Sequence, residues 1–233
     1  MQSKEIEING IPSIVWGVDS ETVVIAVHGN QSNKKDTPIR IFSEEAAANG
    51  YQLLSFDLPE HGERKTEDTP CKVQYCVADL IAVMQYAKAR WKKIGLYANS
   101  IGVYFSLLAY ADEHLWKAWF LSPVLDMRRL IENMMDWFHV TETQLQKEQA
   151  VCTPVGQTLY WDYYCYVKSH PVAKWNTPTH ILYGAHDDLC EKETILDFVA
   201  KFPCDLQIAE HAEHYFHTPE ELQALKAWIK KTL

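Results

Sequence analysis

The sequence predicts an α/β fold: a mostly parallel central sheet with helices on both faces. Short apolar, β-branched runs alternate with longer segments of helical spacing along most of the chain. Residues 22–27, Thr-Val-Val-Ile-Ala-Val, are apolar without alternation, as in strands buried on both faces of a parallel sheet. His28, Asp57, Ser100 and Asp187 each follow such a run, at the strand ends where the ligand sites of these sheets collect.

The elements follow in order. Residues 4–8 and 11–16 flank Asn9-Gly10, a strong hairpin dipeptide. The strand at 22–27 ends in His28-Gly29-Asn30, and a helix over about 38–49 stops at Gly50. A strand at 51–56 ends at Asp57. After a polar loop, a helix over about 73–91 carries Val77, Leu80, Ile81 and Met84 near a 3.6 period. A strand at 94–97 runs into Ser100, with a helix directly behind it. Strands at 115–121, 179–183 and 206–209 complete the sheet, and helices over about 191–201 and 219–231 flank the last two. Pro219 suits a first helical turn.

Residues 123–171 break this rhythm with a helical stretch, a polar stretch and a cluster of aromatics, Tyr160, Trp161, Tyr163, Tyr164 and Tyr166. They predict a small helical cap insertion within one domain spanning 1–233. The aromatics either line an apolar acyl or aryl pocket or pack the cap onto the sheet, and packing is the stronger expectation for most of them.

A net charge of −9 with no basic patch argues against nucleic acid and anionic membrane surfaces as partners. Six cysteines without CxxC spacing read as reduced thiols, and the polar N-terminus lacks a signal-peptide core. A cytoplasmic protein is expected.

Ser100 has Ala98 and Gly102 two positions before and after it. A serine on a sharp strand-to-helix turn needs small residues there, because strand and helix nearly touch. The plainer alternative is a serine capping a helix. Chemistry-bearing residues occur in the order Ser100, Asp187, His214. His28-Gly29, Asp57-Leu-Pro-Glu-His-Gly62, Ala98-Asn-Ser-Ile-Gly102, Leu182-Tyr-Gly-Ala-His-Asp187 and Ala212-Glu-His-Tyr-Phe216 together resemble the α/β-hydrolase family, in particular its small capped esterases, lipases and acyl-peptidases. Ala98, Glu60 and Arg64 depart from the glycine, glycine and serine usual at those positions.

The resemblance implies a serine hydrolase acting on a small ester or acyl substrate, with Ser100 as nucleophile, His214 as base and Asp187 as the acid that orients it. His211 and His217 are alternatives for the base, and Asp126, after Ser122-Pro-Val-Leu125, for the acid. The backbone N–H groups of Asn30 and Ile101 are the expected oxyanion donors, with His28 structural. No cofactor and no metal are implied. Two rival readings are a metal site built on His186, Asp187, Asp188, His211, His214 and His217, and a non-catalytic binding protein on the same fold.

Overall fold

The computed structural model describes residues 1–233. Ten strands and eight α-helices alternate much as the periodicity predicts. β1 (Ser3–Ile8) and β2 (Ile11–Trp16) form the hairpin around Asn9-Gly10, both of which have positive φ. β3 (Thr22–Val27), β4 (Gln52–Phe56), β5 (Lys93–Asn99), β6 (Ala118–Leu121), β9 (Thr179–Gly184) and β10 (Cys204–Ala209) follow. The eight-stranded sheet has the order β1-β2-β4-β3-β5-β6-β9-β10. Its first two pairings are antiparallel and every pairing from β4 to β10 is parallel.

Two helices cover one face, α1 (Thr37–Ala48) and α8 (Pro219–Thr232); α2 (Val73–Lys88), α3 (Ile101–Ala109) and α7 (Lys192–Lys201) cover the other. β3 shows how the strand period divides the core. Val24 and Ala26 pack with Phe42 of α1 and Trp228 of α8, while Val23, Ile25 and Val27 pack with Leu80 of α2 and Phe105 of α3. An uninterrupted apolar strand is therefore buried on both sides.

Several boundaries differ from the periodicity by two or three residues, β5 running to Asn99 and β10 starting at Cys204. α2 ends at Lys88, and Trp91 beyond it folds back so that its indole N–H donates to Gln52 Oε1 at 2.7 Å. β6 starts only at Ala118, although the Trp116 N–H already donates to the Ile94 carbonyl.

Between β6 and β9 lie α4 (Met127–Trp137), α5 (Glu142–Glu148), an antiparallel hairpin of β7 (Ala150–Cys152) and β8 (Thr158–Tyr160), and α6 (Trp161–Ser169). The hairpin is an addition to the helices expected here. Thr153 closes its turn, donating to the Gln157 carbonyl from both its hydroxyl and its backbone N–H. Most aromatics of this segment pack inward: Tyr164 is buried, and Trp161, Tyr163 and Tyr166 lie partly buried against the main core, while Trp137 stays exposed. No helix is long and apolar enough to cross a membrane.

Candidate active site

Ser100 sits between β5 and α3 with φ 51° and ψ −121°, a conformation that costs a non-glycine residue free energy. Two close approaches hold it there. A Cβ on Gly102 would lie 2.5 Å from the His28 carbonyl oxygen, so α3 can pack on the end of β3 only with glycine at that position. A Cβ on Gly29 would lie 3.0 Å from the Cβ of Ser100, which puts the loop after β3 directly against the serine. Ala98 is fully buried within β5 and fits without a glycine.

The loop after β10 delivers His214. Burial alternates along it: Ala212, His214 and Phe216 point inward, and His211, Glu213, Tyr215 and His217 face outward. Nε2 of His214 lies 2.9 Å from Ser100 Oγ, and its Nδ1 lies 2.8 Å from Asp187 Oδ2. The Asp187 carboxylate is fully buried, and its other oxygen accepts the N–H groups of Leu189 and Cys190 at 3.0 and 2.8 Å. With the carboxylate an acceptor only, Nδ1 carries the proton and Nε2 presents a lone pair to the serine hydroxyl.

The other candidates lie elsewhere. Asp126 caps α4, accepting the Arg129 N–H at 3.0 Å. His186, Asp188, His211 and His217 are exposed. Of the residues in the metal reading, only Asp187 and His214 come together, and their third neighbour is Cys190, not another histidine.

The loop after β3 is anchored from below. His28 is fully buried; its Nδ1 donates to the Gly29 carbonyl and its Nε2 accepts the Leu58 N–H. Burial pushes its pKa down to about 4, which keeps the ring neutral. His61 donates from Nδ1 to the Pro59 carbonyl, and its Nε2 accepts the N–H of Gln31, a residue at φ 57°. The Asn30 N–H has no acceptor within the chain, and the Ile101 N–H opens α3, where the first turn leaves amides unpaired. The Asn30 side chain donates to Gln157 Oε1 at the tip of the β7–β8 hairpin, so this hairpin reaches the loop after β3.

Two supporting residues were not singled out from the sequence. Lys34 is buried, with Nζ 2.5 Å from Asp57 Oδ2 and 2.6 Å from Glu63 Oε1, and its N–H donates to Asp57 Oδ1. Lys34-Lys35 reads as a surface pair, and nothing local marks Lys34 as internal. Glu221 accepts the N–H groups of Glu213, His217 and Thr218 at 3.0, 3.0 and 2.8 Å, and thereby braces the His214 loop. Its signal was present: Thr218-Pro-Glu-Glu221 is a capping box, and the reciprocal bonds are both formed. A cavity of about 360 Å³ opens between α3, α4, α6 and α7, lined by Tyr104, Asp126, Arg128, Val172 and Phe198, and it does not reach Ser100 or His214.

No protein-family model matches this sequence, and no curated protein is significantly similar to it. Solved structures do match. Est1E from Butyrivibrio proteoclasticus with ferulic acid bound is 20% identical at a TM-score of 0.80, over 98% of this chain and 96% of that one. Alpha/beta hydrolase domain-containing protein 10 from mouse is 14% identical at a TM-score of 0.78, over 99% and 98%. The esterase Pf2001 from Pyrococcus furiosus is 19% identical at a TM-score of 0.71, over 99% and 88%. With a mostly parallel sheet of this strand order and likeness that runs nearly end to end, the chain has the α/β-hydrolase fold.

Proposed function

We propose that the protein is a serine hydrolase of small carboxylic esters, working through a covalent acyl-enzyme. The observation that supports this best is the unbroken hydrogen-bonded line from Ser100 Oγ through His214 to the buried Asp187 carboxylate. A serine hydroxyl is a poor nucleophile at neutral pH unless a base takes its proton as it attacks. His214 Nε2 is that base, and Asp187 stabilises the imidazolium as it forms.

In this reading Ser100 Oγ bonds to the ester carbonyl carbon and its proton passes to Nε2. The N–H groups of Asn30 and Ile101 hold the oxyanion, each worth about 3 kcal/mol of transition-state stabilisation. Collapse expels the alcohol, which takes the proton from His214. Water then attacks the acyl-enzyme with His214 again as base, releasing the acid and free Ser100.

The ferulic acid bound to Est1E makes hydroxycinnamoyl esters the first acyl class to try, with thioesters and amides as rivals that the same groups could serve. Residues 123–171 are read as a cap over the site, the Asn30–Gln157 bond being its contact with the oxyanion loop. Six unpaired cysteines fit a reducing compartment such as the cytoplasm.

The test is labelling with a fluorophosphonate probe, together with kcat/KM across p-nitrophenyl acyl, hydroxycinnamoyl, thioester and amide substrates. Wild type should label and turn over at least one ester, and Ser100→Ala should do neither. Turnover that survives in Ser100→Ala refutes the mechanism. Tight binding of a hydroxycinnamate without labelling would instead support a non-catalytic binding protein.

A further inference from the structure

The thiols of Cys71 and Cys76 lie 3.6 Å apart, sulfur to sulfur, in a chain whose cysteines are all free. Cys71 immediately precedes Lys72, the N-cap of α2, and Cys76 sits one turn into the helix. These are the two positions that pack together where a hydrophobic staple fixes the entry of a helix, so the contact follows from the local fold. The pair differs in access. Cys71 is half-buried in the loop, whereas Cys76 is fully buried in the core. No other cysteine has a second thiol beside it: Cys152 contacts the Thr158 hydroxyl, and Cys165 is exposed with no sulfur partner.

We propose that Cys71 and Cys76 form a peroxide-oxidisable dithiol, Cys71 attacking and Cys76 resolving, whose disulfide slows turnover at Ser100 through the loop that carries Asn30. The coupling to turnover rests on the esterase reading above; the thiol chemistry does not.

In the first step the Cys71 thiolate attacks one oxygen of a hydroperoxide, the O–O bond breaks, and the leaving alkoxide or hydroxide is protonated. Cys71 becomes a sulfenic acid, oxidised by two electrons. In the second step Cys76 sulfur displaces hydroxide from Cys71 sulfur, and the Cys76 proton leaves with it as water. Electrostatics favours this order. The hydrogen bond from Cys76 holds the Cys71 thiol well below the usual range against the effect of burial, with His61 assisting. Burial raises Cys76 well above the usual range, so it stays the protonated donor. The ring closed is short, so chain entropy stabilises the disulfide little, as suits a bond that forms and is reduced again.

Closing the sulfurs from 3.6 Å to a bond of about 2.05 Å requires one sulfur to move toward the other. Cys76 is buried within α2 and Cys71 is half-buried in the loop, so in this proposal Cys71 makes the move. The Cys71 N–H is bound to Glu60 Oε2 at 2.6 Å. Glu60 adjoins His61, whose Nε2 holds the Gln31 N–H next to Asn30. A shift of Cys71 is thus passed through two hydrogen bonds to Gln31, the residue next to the proposed oxyanion donor Asn30.

The experiment treats the full-length protein with limiting hydrogen peroxide, unfolds it, alkylates the remaining thiols and digests with trypsin. Lys72 separates the two cysteines, so the disulfide appears as two peptides joined through Cys71 and Cys76, lighter by two hydrogens than the free pair. Cys76→Ala should leave a sulfenic acid at Cys71 that dimedone traps, and Cys71→Ser should form neither product. If Cys152 or Cys165 is oxidised while Cys71 and Cys76 remain open to alkylation, the dithiol is refuted. In the same samples, ester turnover should fall several-fold on oxidation, recover with dithiothreitol, and stay constant in Cys71→Ser. Unchanged turnover in fully disulfide-linked protein refutes the coupling. An untreated protein with no turnover refutes the esterase reading and with it the coupling, whereas the joined peptides still decide the thiol pair.

Discussion

Asp187 gives one carboxylate oxygen to His214 Nδ1 at 2.8 Å and the other to the amides of Leu189 and Cys190, so its position is set by the turn after β9. Asp126, the rival acid, spends its carboxylate on the first turn of α4 instead. Asp187→Asn should keep the fold and lower kcat by about 10⁴-fold, because the Leu189 and Cys190 N–H groups keep the amide oxygen and leave its NH2, a donor, facing Nδ1, which selects the wrong tautomer. Asparagine caps helices about as well as aspartate, so Asp126→Asn should change kcat by less than about twofold. Comparable losses in both variants would mean that the acid is misassigned.

Lys34 and Asp57 are both buried, and their charges compensate each other between the loop after β3 and the loop after β4. Lys34→Met leaves Asp57 with only backbone donors, from Lys34 itself and Glu63. Loss of one partner from a buried pair costs about 3–5 kcal/mol, and these two bonds place the expected loss at the lower end. Urea denaturation should show a lower midpoint with an unchanged slope. A loss below about 1 kcal/mol would show that the pair is dispensable to the fold.

These two cases divide what local sequence can reveal from what it cannot. The sheet was legible because its strands are uninterrupted apolar runs, and Ser100 was legible because a strained turn needs small residues on either side. His214 could be separated from His211 and His217 by its context, and the alternating burial along that loop supplies the physical reason. Lys34 was illegible, since a lysine inside looks like any other until its partner, Asp57, is brought against it by a parallel crossover. The β7–β8 hairpin was also missed. Its strands are three residues each, too short for a period of two to stand out.

Glu221 offers a test of how the His214 loop is held. Burial would raise its pKa, but hydrogen bonds from the amides of Glu213, Thr218 and His217 outweigh it and hold the carboxyl down at about 2. A carboxyl depressed in the folded state adds stability that is present above its unfolded pKa, about 4.3, and is lost as the pH falls through the folded value. The stability difference between wild type and Glu221→Gln should be of order 2–3 kcal/mol at neutral pH and shrink between about pH 4.3 and pH 2. Ester turnover by the variant should fall through kcat, as the loop holding His214 loosens. A pH-independent difference would assign the effect to packing instead.

His28 makes the opposite kind of titration visible. Burial pushes its pKa down to about 4, so the folded protein resists protonating a ring that the unfolded chain protonates near pH 6.5. The stability due to its neutral form is complete above about 6.5 and is lost as the pH falls toward 4, at up to about 1.4 kcal/mol per pH unit. His61 works against this trend. Burial lowers its pKa too, but contacts with Cys71, the Pro59 carbonyl and Glu60 raise it overall, so its contribution is lost as the pH rises. The comparison must therefore be between wild type and His28→Gln, in which His61 is common to both. Glutamine can still donate to the Gly29 carbonyl or accept from Leu58, and it does not titrate. Urea midpoints measured from pH 7 to pH 4 should converge for the two proteins as the pH falls. Parallel curves would mean that His28 is not the neutral pillar beneath the loop after β3, and that the loop is held by Lys34 and His61 alone.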